Sequence, residues 1–225
     1  MKTPIPGNYF AQRTYVRSDP TTGLLATRQN NRLIAIPELL LQSIHQALRA
    51  EAGEATPFAL YTFGLWWGRA FYDRLRSELE VYQGCPVTEM SAVTFLVTMR
   101  EIWLVHGLGC LTIDFRHRDH GLVQITTTNS ALVKGTDLGL KTGQIPSHHL
   151  EAGFLSAWFS RWAGRELRAC ATNWGLGHSE VDVEETESYT EFLVGTAEQI
   201  EDIETWVKQG LRTAEILHRV DPDDS

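Results

Sequence analysis

The sequence has only three cysteines, Cys85, Cys110 and Cys170, and none of them stands in a Cys-x-x-Cys pair. An odd number of scattered thiols offers no disulfide framework and no paired metal clip, and it suits a reducing compartment. No run of about 18 or more uncharged apolar residues occurs, so no transmembrane helix is expected. The opening segment from Met1 to Gly7 holds Pro4 and Pro6 but no apolar stretch of the secretory kind, and the expected location is the cytoplasm. An excess of cations is also missing. With a net charge of -8, the chain lacks the clustered Lys and Arg that phosphate backbones require, which excludes a nucleic-acid partner. Gly-x-Ser-x-Gly, Gly-x-Gly-x-x-Gly, low-complexity tracts and internal repeats are absent, so neither a nucleophile elbow nor a dinucleotide fingerprint is present.

What is plentiful is large rings. Seven tryptophans occur in 225 residues, and five of them (Trp66, Trp67, Trp103, Trp158, Trp162) fall in segments with helical periodicity. In Phe63-Gly-Leu-Trp-Trp-Gly68 two glycines are spaced Gly-x-x-x-Gly. Phe63, Trp67 and Phe71 recur every four residues, which stacks them on one helix face. The glycines thin that helix and admit a neighbouring backbone or a flat ligand. Such a stripe is either ordinary core or the wall of a pocket, and indoles on packed helices serve both uses.

The element order indicates α+β, with helices packed on a small antiparallel sheet. Residues 1–36 read as an extended arm followed by a hairpin, Leu24 to Thr27 against Arg32 to Ile36. A helix from Pro37 to about Ala52 stops at Gly53. A long helix from about Ala55 to Gln83 carries Leu60, Phe63, Trp67, Phe71, Leu75, Leu79 and Tyr82. Thr88 is expected to cap a third helix with Phe95, Met99, Trp103 and His106 in line. Cys110 to Phe115 and Leu122 to Thr128 read as paired strands, and Lys134 to Gln144 as a mobile loop. Ser147 is expected to cap a helix over His148 to Gly164. Strands near 166–173, 180–187 and 189–195 and two helices within residues 198–225 complete the chain.

With these segments placed, the chain resembles the 4-vinyl reductase domain family, in particular its cyanobacterial members. The residues that carry the likeness are Gly7-Asn-Tyr-Phe10, Tyr15-Val-Arg17, Ile36-Pro-Glu38, Gly64-Leu-Trp-Trp-Gly-Arg69, Arg100-Glu-Ile-Trp103, Gly153-Phe-Leu-Ser-Ala-Trp158, Gly164-Arg-Glu-Leu167 and Glu191-Phe-Leu-Val-Gly195. The resemblance implies one such domain over residues 1–225. It also implies a fold similar to a trafficking-complex (TRAPP) subunit that holds an acyl chain and to haem-type nitric-oxide sensors. A pocket for a hydrophobic small molecule, a tetrapyrrole or a lipid, follows from it. So do a setting in photosystem II assembly or stability, a place at the periphery of the thylakoid membrane, photosystem II assembly intermediates as partners, and a homodimer. The family pattern ends with paired metal-binding cysteines. Here Thr190 stands two residues before Phe192 where a cysteine is expected, so no metal site is implied.

The ligand-lining set expected on these grounds is Phe63, Trp67, Phe71, Trp103, Phe154 and Trp158, with His106 as an axial ligand if the guest is a tetrapyrrole. The alternative for His106, as for His148-His149, is an ordinary helix end, where a charged His106 would favour the dipole. Arg100-Glu101 in an apolar helix reads as an internal ion pair or a contact to a ligand's polar group. His117 and His120 read as a solvated turn. No donor site for electrons or hydride is visible, so a binding protein without catalysis is expected. Reduction of a vinyl group on a chlorophyll precursor, and a ligand-free docking scaffold, are the alternatives.

Overall fold

The computed structural model describes residue 10 and residues 15–132, 148–178 and 186–221. Two antiparallel sheets and six helices are built from them. Strands β1 (Val16–Asp19), β2 (Leu24–Thr27) and β3 (Arg32–Leu33) form the smaller sheet in the order β1-β2-β3. Val16–Asp19 is therefore a paired strand rather than part of a free arm. The turn after β2 takes Asn30 at φ 64, which Asn tolerates. The sheet is fastened to a helix by Glu78, whose carboxylate accepts from Asn31 Nδ2 at 2.6 Å.

Helix α1 (Glu38–Ala52) ends where Gly53 turns to φ 53, and the 28-residue α2 (Thr56–Gln83) follows a 3₁₀ turn. Helix α3 (Ala92–Val105) is capped by Ser91, whose Oγ accepts from Thr94 N at 3.1 Å. Thr88, the expected cap, lies instead in a separate 3₁₀ turn over Val87–Glu89. Strands β4 (Cys110–Asp114) and β5 (Val123–Thr128) are followed by α4 (His149–Ala163), then β6 (Arg168–His178) and β7 (Thr186–Gly195). One long β6 replaces the shorter strand expected to stop at Asn173. The loop expected at 134–144, the Ser147 cap and most of the strand expected over 180–187 lie outside the described residues. Helices α5 (Ala197–Lys208), with a Thr196–Gln199 capping box, and α6 (Thr213–Val220) come last.

The larger sheet runs β4-β5-β7-β6, antiparallel throughout. Its pleat sends alternate residues to opposite faces. Phe192 and Val194 join Ile125 and helices α2, α3 and α4 in the main core. Leu193, between them, packs with Ile200, Ile203, Ile216 and Leu217 of α5 and α6. The result is an α+β architecture with helical layers on both sides of one sheet. No helix among the described residues is long and apolar enough to cross a membrane.

Candidate ligand site

Helices α2 and α4 meet backbone to backbone. A Cβ on Gly64 would collide with the Leu150 carbonyl oxygen, and one on Gly153 with that of Tyr61. On Gly68 it would lie 2.7 Å from the Phe154 carbonyl oxygen. The Gly-x-x-x-Gly spacing thus receives a neighbouring backbone. Ser156, fully buried, stitches the junction: its Oγ accepts from Tyr61 Oη at 2.9 Å and from Ala169 N of β6 at 2.8 Å.

This crossing draws six of the seven expected residues into one aromatic cluster. The Phe154 ring centroid lies 4.7 Å from Trp67, 5.5 Å from Phe71, 5.4 Å from Trp103 and 5.9 Å from Trp158. Phe71 also meets Trp158 at 5.6 Å and His106 at 4.9 Å. Trp103, Phe154 and Trp158 are fully buried, while Trp67 and Phe71 form a partly exposed outer edge. The rings rest on one another. Phe63 does not join them; it is 60% exposed. The glycines, not the aromatic stripe, define the inward direction of α2, and 100° per residue then turns Phe63 to solvent.

His106 occupies the C-cap of α3 with Nδ1 2.8 Å from the Ile102 carbonyl oxygen. A carbonyl only accepts, so the proton sits on Nδ1 and Nε2 keeps its lone pair. Burial lowers its pKa, against the opposing pull of that bond, so the ring is neutral at pH 7 and not a dipole-stabilised cation. Arg100 is exposed, not buried within the apolar helix. His117 is buried, contrary to a fully solvated turn, and His120 Nε2 lies 2.8 Å from Asp221.

Among the described residues, several polar atoms within this core meet no partner. Trp103 Nε1 and Trp158 Nε1 are sealed from solvent without an acceptor. Glu151, one turn before Phe154, is fully buried; its Oε1 accepts from Ser130 Oγ at 2.9 Å, while Oε2 is unpartnered. Burial pushes its pKa up to about 7, although the Ser130 and Thr127 hydroxyls pull the other way. Glu151 was not among the residues singled out from sequence. The available signal was one acid inside the apolar line Leu150, Phe154, Trp158.

At the start of α4, His148 Nδ1 lies 3.3 Å from the Thr190 hydroxyl. Among the described residues no cluster of three or more His, Cys, Asp or Glu could hold a metal. Burial pushes the Cys170 thiol up to about 12, which keeps it protonated. A cavity of about 290 Å³ opens between α2, α4, β6 and α5, and none of the seven expected residues lines it.

No family model and no curated protein matches the sequence. Among solved structures, the chain is similar to the phenol-responsive sensory domain of the transcription activator PoxR, determined with phenol. The TM-score is 0.60 at 15% identity, over 88% of this chain and 92% of that one. At that identity the likeness is one of fold.

Proposed function

We propose that this chain is a non-catalytic binding protein for a compact, largely apolar molecule that enters the aromatic core between α2, α3 and α4. The observation that carries this reading is the pair of sealed indole N–H groups on Trp103 and Trp158, both packed on Phe154 and neither with an acceptor among the described residues. Buried donors are paired in nearly all proteins, and leaving one bare costs about 1–3 kcal/mol. A guest with an oxygen acceptor offsets that cost. The protonated fraction of Glu151 adds a donor for the same guest, and the partly exposed Trp67 and Phe71 are the rings that swing to admit it.

The fold shared with a phenol-responsive domain makes phenol and cresol the first compounds to try. The photosystem II setting implied by the resemblance adds protoporphyrin and chlorophyll precursors, with His106 Nε2 as the metal ligand, and palmitate tests the lipid alternative. A melting-temperature screen with each compound should give a shift that grows with concentration, as binding to the folded state alone requires. Absence of any shift across the panel, with calorimetry equally silent, removes the reading.

A second reading has its own observation. Phe58, Phe63 and Trp66 are 75%, 60% and 71% exposed on the side of α2 away from α4, and Leu39 on α1 is 69% exposed. Exposed large apolar groups in such number suit a protein contact, including a homodimer.

A further inference from the structure

We infer that the recess between α4, β6 and α5 is a second ligand site, shaped for a flat, uncharged aromatic molecule of one or two rings. The inference stands independently of the proposed function, because the recess shares no lining residue with the aromatic cluster.

The size comes first. The cavity measures about 290 Å³, and an apolar cavity of about 150 Å³ already takes benzene. Two fused rings therefore fit, while a tetrapyrrole does not. The room exists because the facing positions on α4 and β6 are small: Ala152, Ala169 and Ala171. Trp174 supplies a flat wall, and Arg212 is stacked on that ring at 4.6 Å, which holds it in place.

The chemistry follows from His148. Its ring lies against Trp174 at 5.1 Å and lines the recess as a second flat face. The residue is 5% exposed, and its Nε2, without a partner among the described residues, is itself sealed from solvent and does not open into the recess. Burial pushes its pKa down to about 3, with His149 adding to the effect, so the ring is neutral. A neutral ring with Nδ1 against Thr190 brings no charge to the recess, so an ion entering would shed its hydration without a counter-charge on this wall. On α5 the rim carries Glu204 and Lys208, one turn apart and opposite in sign, so the mouth favours neither anion nor cation.

The test uses 2-naphthol with the full chain, following the probe's own emission excited beyond the tryptophan band. Emission from the neutral probe reports a dry site, because water promotes loss of its excited-state proton. The expected result is saturable binding to the parent chain. Val207→Phe on α5 and Ala152→Leu on α4 fill the same space and should abolish binding. Val207→Phe sits on a half-buried helix position and keeps the test valid if Ala152→Leu fails to fold. The inference is overturned if the parent shows no saturable binding. It is overturned equally if Trp103→Phe loses the probe while Val207→Phe retains it, which would place the naphthol in the aromatic core.

Discussion

Gly153 of α4 faces the backbone of Tyr61 of α2 with no room for a side chain between them: a Cβ there would overlap the Tyr61 carbonyl oxygen. Gly64 meets Leu150 in the same way from the opposite helix. The two helices therefore approach more closely than side chains permit, and the position of every ring in the cluster depends on that approach.

Gly153→Ala should destabilise the protein by about 3 kcal/mol or more, through overpacking against backbone that cannot yield. Gly84→Ala is a useful contrast, since nothing lies within 4 Å of a Cβ there and only the φ of 72 is strained. Chemical denaturation of both variants decides the matter. Equal losses would mean that the helix crossing is looser than described.

Trp103→Phe removes one of the bare indole donors while retaining a ring in the core. Affinity for phenol should fall about tenfold, the value of one hydrogen bond. Stability without ligand should fall less than the roughly 3–5 kcal/mol typical of removing a whole aromatic side chain, because an unsatisfied donor leaves with the indole. Calorimetry and urea melts of parent and variant test both halves.

Glu151 gives the stability a definite pH dependence. Burial raises its pKa from 4.5 to about 7, so the folded state holds a proton that the unfolded state releases. The associated stability is full below pH 4.5 and is lost as pH rises through about 7, a change on the order of 3 kcal/mol. Glu151→Gln should flatten this slope and be relatively more stable on the alkaline side. Urea midpoints at about pH 5 and about pH 8 measure it, and an unchanged slope in the variant would contradict the assignment.

Phe63→Ser with Trp66→Ser should leave folding stability within about 0.5 kcal/mol, as expected for exposed positions. Phenol binding should be equally unaffected. If α2 docks a second copy, light scattering after size exclusion will show the parent as a dimer and the double variant as a monomer. Identical masses for the two exclude this face as the homodimer contact.

The periodic segments were legible: α2, α3, α5, β4 and β5 follow spacing and stop signals at Gly53, Gly84 and Gly107. Convergence of Trp67, Phe71, Trp103, His106, Phe154 and Trp158 was readable too, because each lies on an apolar helical line. Phe63 misled because its spacing matches the stripe, whereas the inward face is set by two residues with no side chain at all. Val16–Asp19 was hidden among Pro20, Gly23 and polar residues that carry little strand propensity, and only pairing to β2 orders it. Helix α3 takes its cap from Ser91 because the chain after Pro86 first makes a 3₁₀ turn. Glu151 and His148 acquire their character from burial by neighbouring elements, which no local pattern encodes.

The meeting of α2 with α4 also dictates which parts of the molecule can yield. Two rods in direct main-chain contact act as a single stiff beam, and prying them apart would sacrifice the whole junction at Ser156. Any opening that lets a visitor reach Phe154 must then come from the other boundary, by α3 tilting away or by Trp67 and Phe71 rotating outward like shutters.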